Sequence, residues 1–158
     1  MGPAFLPTFQ SCDRIGTRAR QGRGGRAMDA QLDIHTKSQV ALYDFTAQVQ
    51  RSVSESGLQE GVCHLFVPHT TAGLTLNENW DPDVRGDLVR ALTAMVPGMD
   101  YRHGEGNSPA HLLSTLVGVS QTLLVRGGRL VLGSWQGVYL AEFDGPRRRR
   151  VLLCLVPG

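Results

Sequence analysis

Gln121–Val156, QTLLVRGGRLVLGSWQGVYLAEFDGPRRRRVLLCLV, decides the fold. Apolar and β-branched residues come in four bursts, Gln121–Val125, Arg129–Ser134, Val138–Phe143 and Arg150–Val156, and the turn signals Gly127-Gly128 and Asp144-Gly145-Pro146 divide them. Upstream, Leu32, Ile34 and Thr36 alternate as a strand does. Asp44 or Thr46 can cap a helix that runs to about Ser56, buries Val49 and Val53 and stops at Gly57. Gly61–Val67 and Gly73–Asn77 are two further strands, separated by the polar elbow Pro68-His69-Thr70-Thr71. Asp81-Pro82-Asp83 opens a second helix with an N-cap, a first-turn proline and acidic charge at the positive dipole end. Val84, Leu88, Ala91, Leu92 and Met95 fall on its inner stripe, and Pro97-Gly98 ends it. Ser108-Pro109 opens a third helix, expected to bury Leu112, Thr115 and Leu116 and to close at Gly118. The order β-α-β-β-α-α-β-β-β-β has more strands than parallel crossovers could serve, so the fold class is α+β: one domain, a largely antiparallel sheet and about three helices.

The 158 residues suffice for one domain with its own core, and 41% hydrophobic with 19% charged residues is globular composition. No apolar run reaches the roughly 18 residues a membrane helix needs, and Gly2–Gln10 lacks the basic start of a secretory signal. Cys12, Cys63 and Cys154 are odd in number and unrelated in spacing, which points away from a disulfide framework and toward a reducing, cytoplasmic compartment. Residues 1–27 hold five arginines against one aspartate, leaving eleven basic and thirteen acidic groups for residues 28–158. The basic charge therefore belongs to the tail, and the mildly acidic body lacks the positive field of a nucleic-acid-binding face. Thr17–Ala27, TRARQGRGGRA, is expected to be flexible, either an Arg-Gly RNA-binding arm or an appendage ahead of a second start at Met28; its composition favours the appendage.

Polar chemistry gathers in loops between apolar elements: His69-Thr70-Thr71 with Asn77-Glu78, Asp81–Asp87, and His103-Gly104-Glu105-Gly106-Asn107 running into His111. His69, His103 and His111 could supply a zinc-like site with Glu105 or Asp87 as base or fourth ligand, although a loop histidine is more often solvated than ligating. Asp87 shares the helical face of Val84 and Leu88, where a carboxylate needs a partner or a shifted pKa. His35 and His64 fall within strands as structural or surface groups. The run Arg147–Arg150 suits a solvated turn better than a phosphate clamp, because alternate strand positions diverge. Trp135 and Gln136, flanked by Gly133 and Gly137, form either a stacking wall with an amide for a planar ligand or, for Trp135, part of the core.

HTTAGLTLNE over His69–Glu78, DPDV over Asp81–Val84, HGEGNS over His103–Ser108, Ala110-His111, and GSWQG over Gly133–Gly137 resemble, in order, the motifs of the YjbQ family across roughly residues 29–158. Leu113 and Pro109 stand where relatives often carry basic and acidic or polar residues, so the charge balance at the start of this helix differs. The resemblance implies a homotrimer of α+β domains with a histidine and acidic pocket near subunit contacts. It also implies a weak, secondary thiamine-phosphate synthase activity, joining an aminopyrimidine diphosphate to a thiazole phosphate with release of diphosphate. Carried over by motif, His69, His103 and His111 hold a metal or phosphate, Asp87 and Glu105 act as acid, base or metal groups, and Thr70, Thr71, Asn77, Asn107 and Gln136 orient substrate. A diphosphate favours magnesium on oxygen ligands whereas three histidines favour zinc, so the labelled reaction and the natural one are expected to differ. The competing expectation is a non-catalytic protein that binds a metal or a phosphorylated metabolite.

Overall fold

β1 (Met28–His35) opens the chain described by a computed structural model, which covers residues 28–158. The Arg/Gly-rich segment 1–27, with Cys12, lies outside the described residues. Next come β2 (Ala41–Asp44), α1 (Thr46–Ser56), β3 (Glu60–Phe66), β4 (Ala72–Glu78), α2 (Pro82–Ala94) and α3 (Ser108–Val117). β5 (Ser120–Arg126), β6 (Arg129–Leu130), β7 (Gln136–Glu142) and β8 (Arg148–Pro157) complete the order. The strands form two antiparallel sheets, β1-β8-β3-β5-β6 and β2-β7-β4, so the α+β expectation holds. No helix of the described residues is long and apolar enough to cross a membrane.

β7 is the spine. Val138 and Leu140 on one face join Val49 and Val53 of α1 and Cys63, Leu65, Leu123, Val151 and Leu153 of the larger sheet in the main core. Tyr139 and Ala141 on the other face pack in a second core with Leu42, Ala110 and Leu113, lined by Leu88, Val89 and Leu92 of α2. The period-2 alternation of a strand thus serves two layers at once. Burial in the main core raises the Cys63 thiol to about 12, with the neighbouring Cys154 adding to the rise, so Cys63 is an inert packing group.

Local chemistry sets the helix ends. The N-cap of α1 is Phe45, without a side-chain cap, in place of Asp44 or Thr46. The Asp44 carboxylate just before it accepts from Thr46 N at 2.9 Å and Thr46 Oγ1 at 2.6 Å, while Asp81 caps α2 by accepting from Asp83 N at 2.8 Å ahead of Pro82. Further details depart from expectation. A short strand, β2, precedes α1. β6 stops at Leu130 rather than Ser134, because Gln136 turns back on Gly133: Gln136 N donates to Gly133 O at 2.9 Å and Gly133 N to Gln136 Oε1 at 2.8 Å. α3 buries Ala110, Leu113 and Ser114 in place of Leu112, Thr115 and Leu116. Its rotation is fixed by Ser114 Oγ, which donates to Ala72 O at 2.7 Å, and by Gly73, where a Cβ would meet Gly118 O at 2.6 Å. α2 buries no residue fully, and Met95, expected inward, is exposed.

Candidate functional site

The β4–β7 ladder has two polar ends. Ala72 pairs with Glu142 at one and Glu78 with Gln136 at the other, six residues or roughly 20 Å apart. At the first end Glu142 and Arg149 are 0% and 4% exposed and form an ion pair between the sheets. Arg149 Nε donates to Glu142 Oε2 at 2.7 Å, and Nη2 donates to Glu142 Oε1 and to Thr71 Oγ1 (2.8 Å). Thr36 Oγ1 donates to Glu142 Oε2 at 2.9 Å, and the Phe143 and Asp144 amides donate to Oε1 at 3.0 and 2.8 Å. Burial alone would raise the Glu142 carboxyl, but the bonds from Arg149, the Asp144 amide and Thr36 and the Arg149 charge outweigh it and hold it below the ordinary carboxylate range. Arg149 is no solvated turn residue: its strand parity, shared with Val151, Leu153 and Leu155, points it into the protein.

This buried pair supports the loop that carries the histidines. Asp144, next along from the pair, accepts from Asn107 Nδ2 at 3.0 Å and from Arg147 Nη2 at 2.7 Å. Those partners and the Arg147 charge lower its pKa against the opposing effect of burial. Asn107 is thereby pinned at the start of α3, and its Oδ1 is buried without a hydrogen-bond partner among the described residues. Ahead of it, Gly106 N donates to His103 O at 3.1 Å, closing a turn that needs φ of 73° at Gly106, a conformation open chiefly to glycine. The turn brings together His103, Glu105 and His111. The rings of His103 and His111 meet edge to face at 5.6 Å, and Glu105 Oε2 lies 3.9 Å from His103 Nε2.

The remaining sequence candidates disperse. His69 is half-buried in the elbow, and its Nε2 accepts from Arg150 N at 2.9 Å. Burial, with the Arg149 and Arg150 charges, lowers its pKa against the opposing charge of Glu142. Thr70 is exposed; Thr71 is buried against Arg149. Asp87 does not face the body: its side chain is 67% exposed and pairs with Arg90 on the outer surface of α2, where helix rotation turns it from the Leu88 stripe. Asn77 and Gln136 lie at the far end of the ladder, in an open cleft of about 390 Å³ lined also by Leu76, Glu78 and Trp135. Trp135 is 65% exposed, so it belongs to this wall and not to the core. No three His, Cys, Asp or Glu side chains converge as a metal-holding group among the described residues. In the far cleft the two amide oxygens are engaged with local backbone, Asn77 Oδ1 by Glu78 N and Gln136 Oε1 by Gly133 N. The paired imidazoles with their neighbouring carboxylate are on the loop tied to the near end, and the candidate site is placed there.

The family model for the UPF0047 protein YjbQ-like family matches residues 30–158. The chain belongs to the YjbQ family. Among YjbQ-like relatives, a UPF0047 protein of Methanocaldococcus jannaschii is 44% identical over 127 residues, 80% of this chain and 92% of that protein. The UPF0047 protein YugU of Bacillus subtilis is 46% identical over 120 residues, 75% of this chain and 91% of YugU. Two solved YjbQ-family folds superpose closely. A YbjQ-like protein of unknown function from Sulfolobus solfataricus P2 has a TM-score of 0.80 at 31% identity, covering 85% of this chain and 100% of that one. An uncharacterized conserved protein of the yjbq/upf0047 family from Clostridium acetobutylicum has a TM-score of 0.77 at 44% identity, covering 80% and 98%.

Glu142 and Arg149 are the residues that sequence reasoning missed. The signal was present as parity: Glu142 falls in register with Val138 and Leu140 on an inward face, where a charge requires a partner.

Proposed function

We propose that the protein is a small-molecule enzyme acting on a phosphorylated, heteroaromatic substrate at the His103–Glu105–His111 group, with condensation of a thiamine-phosphate synthase type as a secondary activity. The observation that carries this reading is the group itself: two imidazoles with ring centroids 5.6 Å apart and a carboxylate 3.9 Å from one of them, on a turn tied through Asn107 to Asp144. Imidazoles so placed can give a proton to a departing diphosphate oxygen as the pyrimidine methylene forms its new bond to the thiazole nitrogen, and Glu105 can orient His103 for that transfer. The buried pair behind the loop would fix these groups in position. Asp87, facing away on α2, has no part in this reaction.

The same proposal takes a homotrimer as the working unit, in which the Asn77–Gln136 cleft of one chain completes the histidine end of another. Its support is the roughly 20 Å separation of the two polar ends within one chain and the exposed Trp135 of the cleft wall. Turnover of aminopyrimidine diphosphate and thiazole phosphate by purified protein tests the whole reading. His103→Ala and Glu105→Gln are expected to lower it by about 10²–10⁴-fold while the fold and assembly persist. Unchanged turnover in both variants refutes the assignment, and saturable binding of either substrate without turnover favours the non-catalytic binding protein.

A further inference from the structure

β3 ends at Phe66, which lies opposite Leu152 of β8. Two residues earlier along β8, Arg150 sits beyond the end of that pairing, and a strand amide left without an acceptor is costly. The elbow residue His69 supplies the acceptor, its Nε2 receiving Arg150 N at 2.9 Å. A backbone amide can only donate, so this Nε2 carries no proton, and a neutral imidazole with a bare Nε2 carries its proton on Nδ1. The Nε2 lone pair is occupied by the amide and has nothing to offer a metal.

We infer that His69 is a fixed Nδ1–H donor to an oxyanion of the ligand, of which phosphate is the simplest example, and that it is not a metal ligand. The surroundings favour the same assignment. The Arg149 and Arg150 charges both act on the imidazole, and the Glu142 carboxylate that opposes them is already bonded to Arg149. Such a setting repels a divalent cation and attracts an anion. Burial and the two guanidinium charges lower the pKa of His69, which preserves the neutral form that the Arg150 amide requires. The neighbouring Thr70 is exposed and can add a hydroxyl to the same oxyanion. The oxyanion part of this inference rests on the phosphorylated-substrate reading above; the tautomer does not.

Long-range ¹H–¹⁵N spectra of the imidazoles in the uniformly labelled full chain, near neutral pH, test it directly. His69→Gln assigns the resonances, since a glutamine Oε1 can accept the same Arg150 amide. His69 is expected to show a protonated Nδ1 and a bare Nε2. Zinc alone should leave both of its nitrogens unmoved, and inorganic phosphate alone should shift its Nδ1 proton with saturation. The phosphate midpoint should rise several-fold in His69→Gln. A protonated Nε2, a zinc-induced shift at either nitrogen, or an Nδ1 proton indifferent to saturating phosphate overturns the inference. A phosphate response at His69 together with full turnover in His103→Ala would remove the catalytic proposal and leave this one standing. A zinc-responsive His69 with turnover lost in His103→Ala would do the reverse.

Discussion

Glu142 and Arg149 are 0% and 4% exposed, and seven hydrogen bonds satisfy the carboxylate and bind the guanidinium to Thr71. His103 and Glu105, on the loop that this pair supports through Asp144, have side chains 44% and 76% exposed and lie 3.9 Å apart. The first group is charged, dry and fully engaged; the second is polar, wet and loosely held. Charge inside a protein survives only when partners replace water, and such partners leave it nothing further to bind. Reactive capacity therefore belongs to the wet group, and positional accuracy to the dry one.

The sharpest way to break this division is Arg149→Met, which strands the Glu142 carboxylate. A loss of about 3–5 kcal/mol in urea unfolding is expected, with most of it recovered when Glu142→Leu is added. A single-variant loss below about 1 kcal/mol would mean that the pair is not the support assigned to it. Thr71→Val removes only the hydroxyl among the acceptors of Arg149 Nη2, and about 1–3 kcal/mol is expected by the same measurement.

Acid sharpens the contrast further. The folded pKa of Glu142 lies below its unfolded value near 4.5, so its stabilisation is complete above that pH and is lost as pH falls toward the folded pKa. Unfolding free energy should therefore decline on acidification below about 4.5, and Glu142→Gln should flatten that decline. An identical slope in the variant would assign the acid sensitivity elsewhere. At the small end, His103→Ala, Glu105→Gln and Asp87→Asn should each change unfolding free energy by no more than about 0.5 kcal/mol, and Asp87→Asn should also leave turnover intact. A large loss in the first two would show the wet loop to be structural.

The sequence revealed the wet group more readily than the dry one, for a physical reason. His103, Glu105 and Asn107 alternate with glycines in a loop, and a dense polar motif between apolar elements is visible without three dimensions. Arg149 stood within four consecutive arginines, where composition suggests solvent. Only its strand parity with Val151 and the inward parity of Glu142 place the two face to face. α1 and the strands other than β2 and the end of β6 followed from local pattern. The rotation of α3 did not, because Ser114 Oγ and Gly73 decide it through contacts across the chain. Asp87 was misplaced for a related reason: α2 packs through the partly buried Leu88, Val89 and Leu92, a stripe that leaves Asp87 outside it.

β7 is hydrogen-bonded along both edges, to β2 and to β4, and every residue from Gly137 to Glu142 is buried. No local fraying can uncover its middle amides. Their exchange with deuterium must wait for the whole domain to open, so Tyr139 and Leu140 would time global unfolding, while the amides of α2 would record far more frequent and smaller openings.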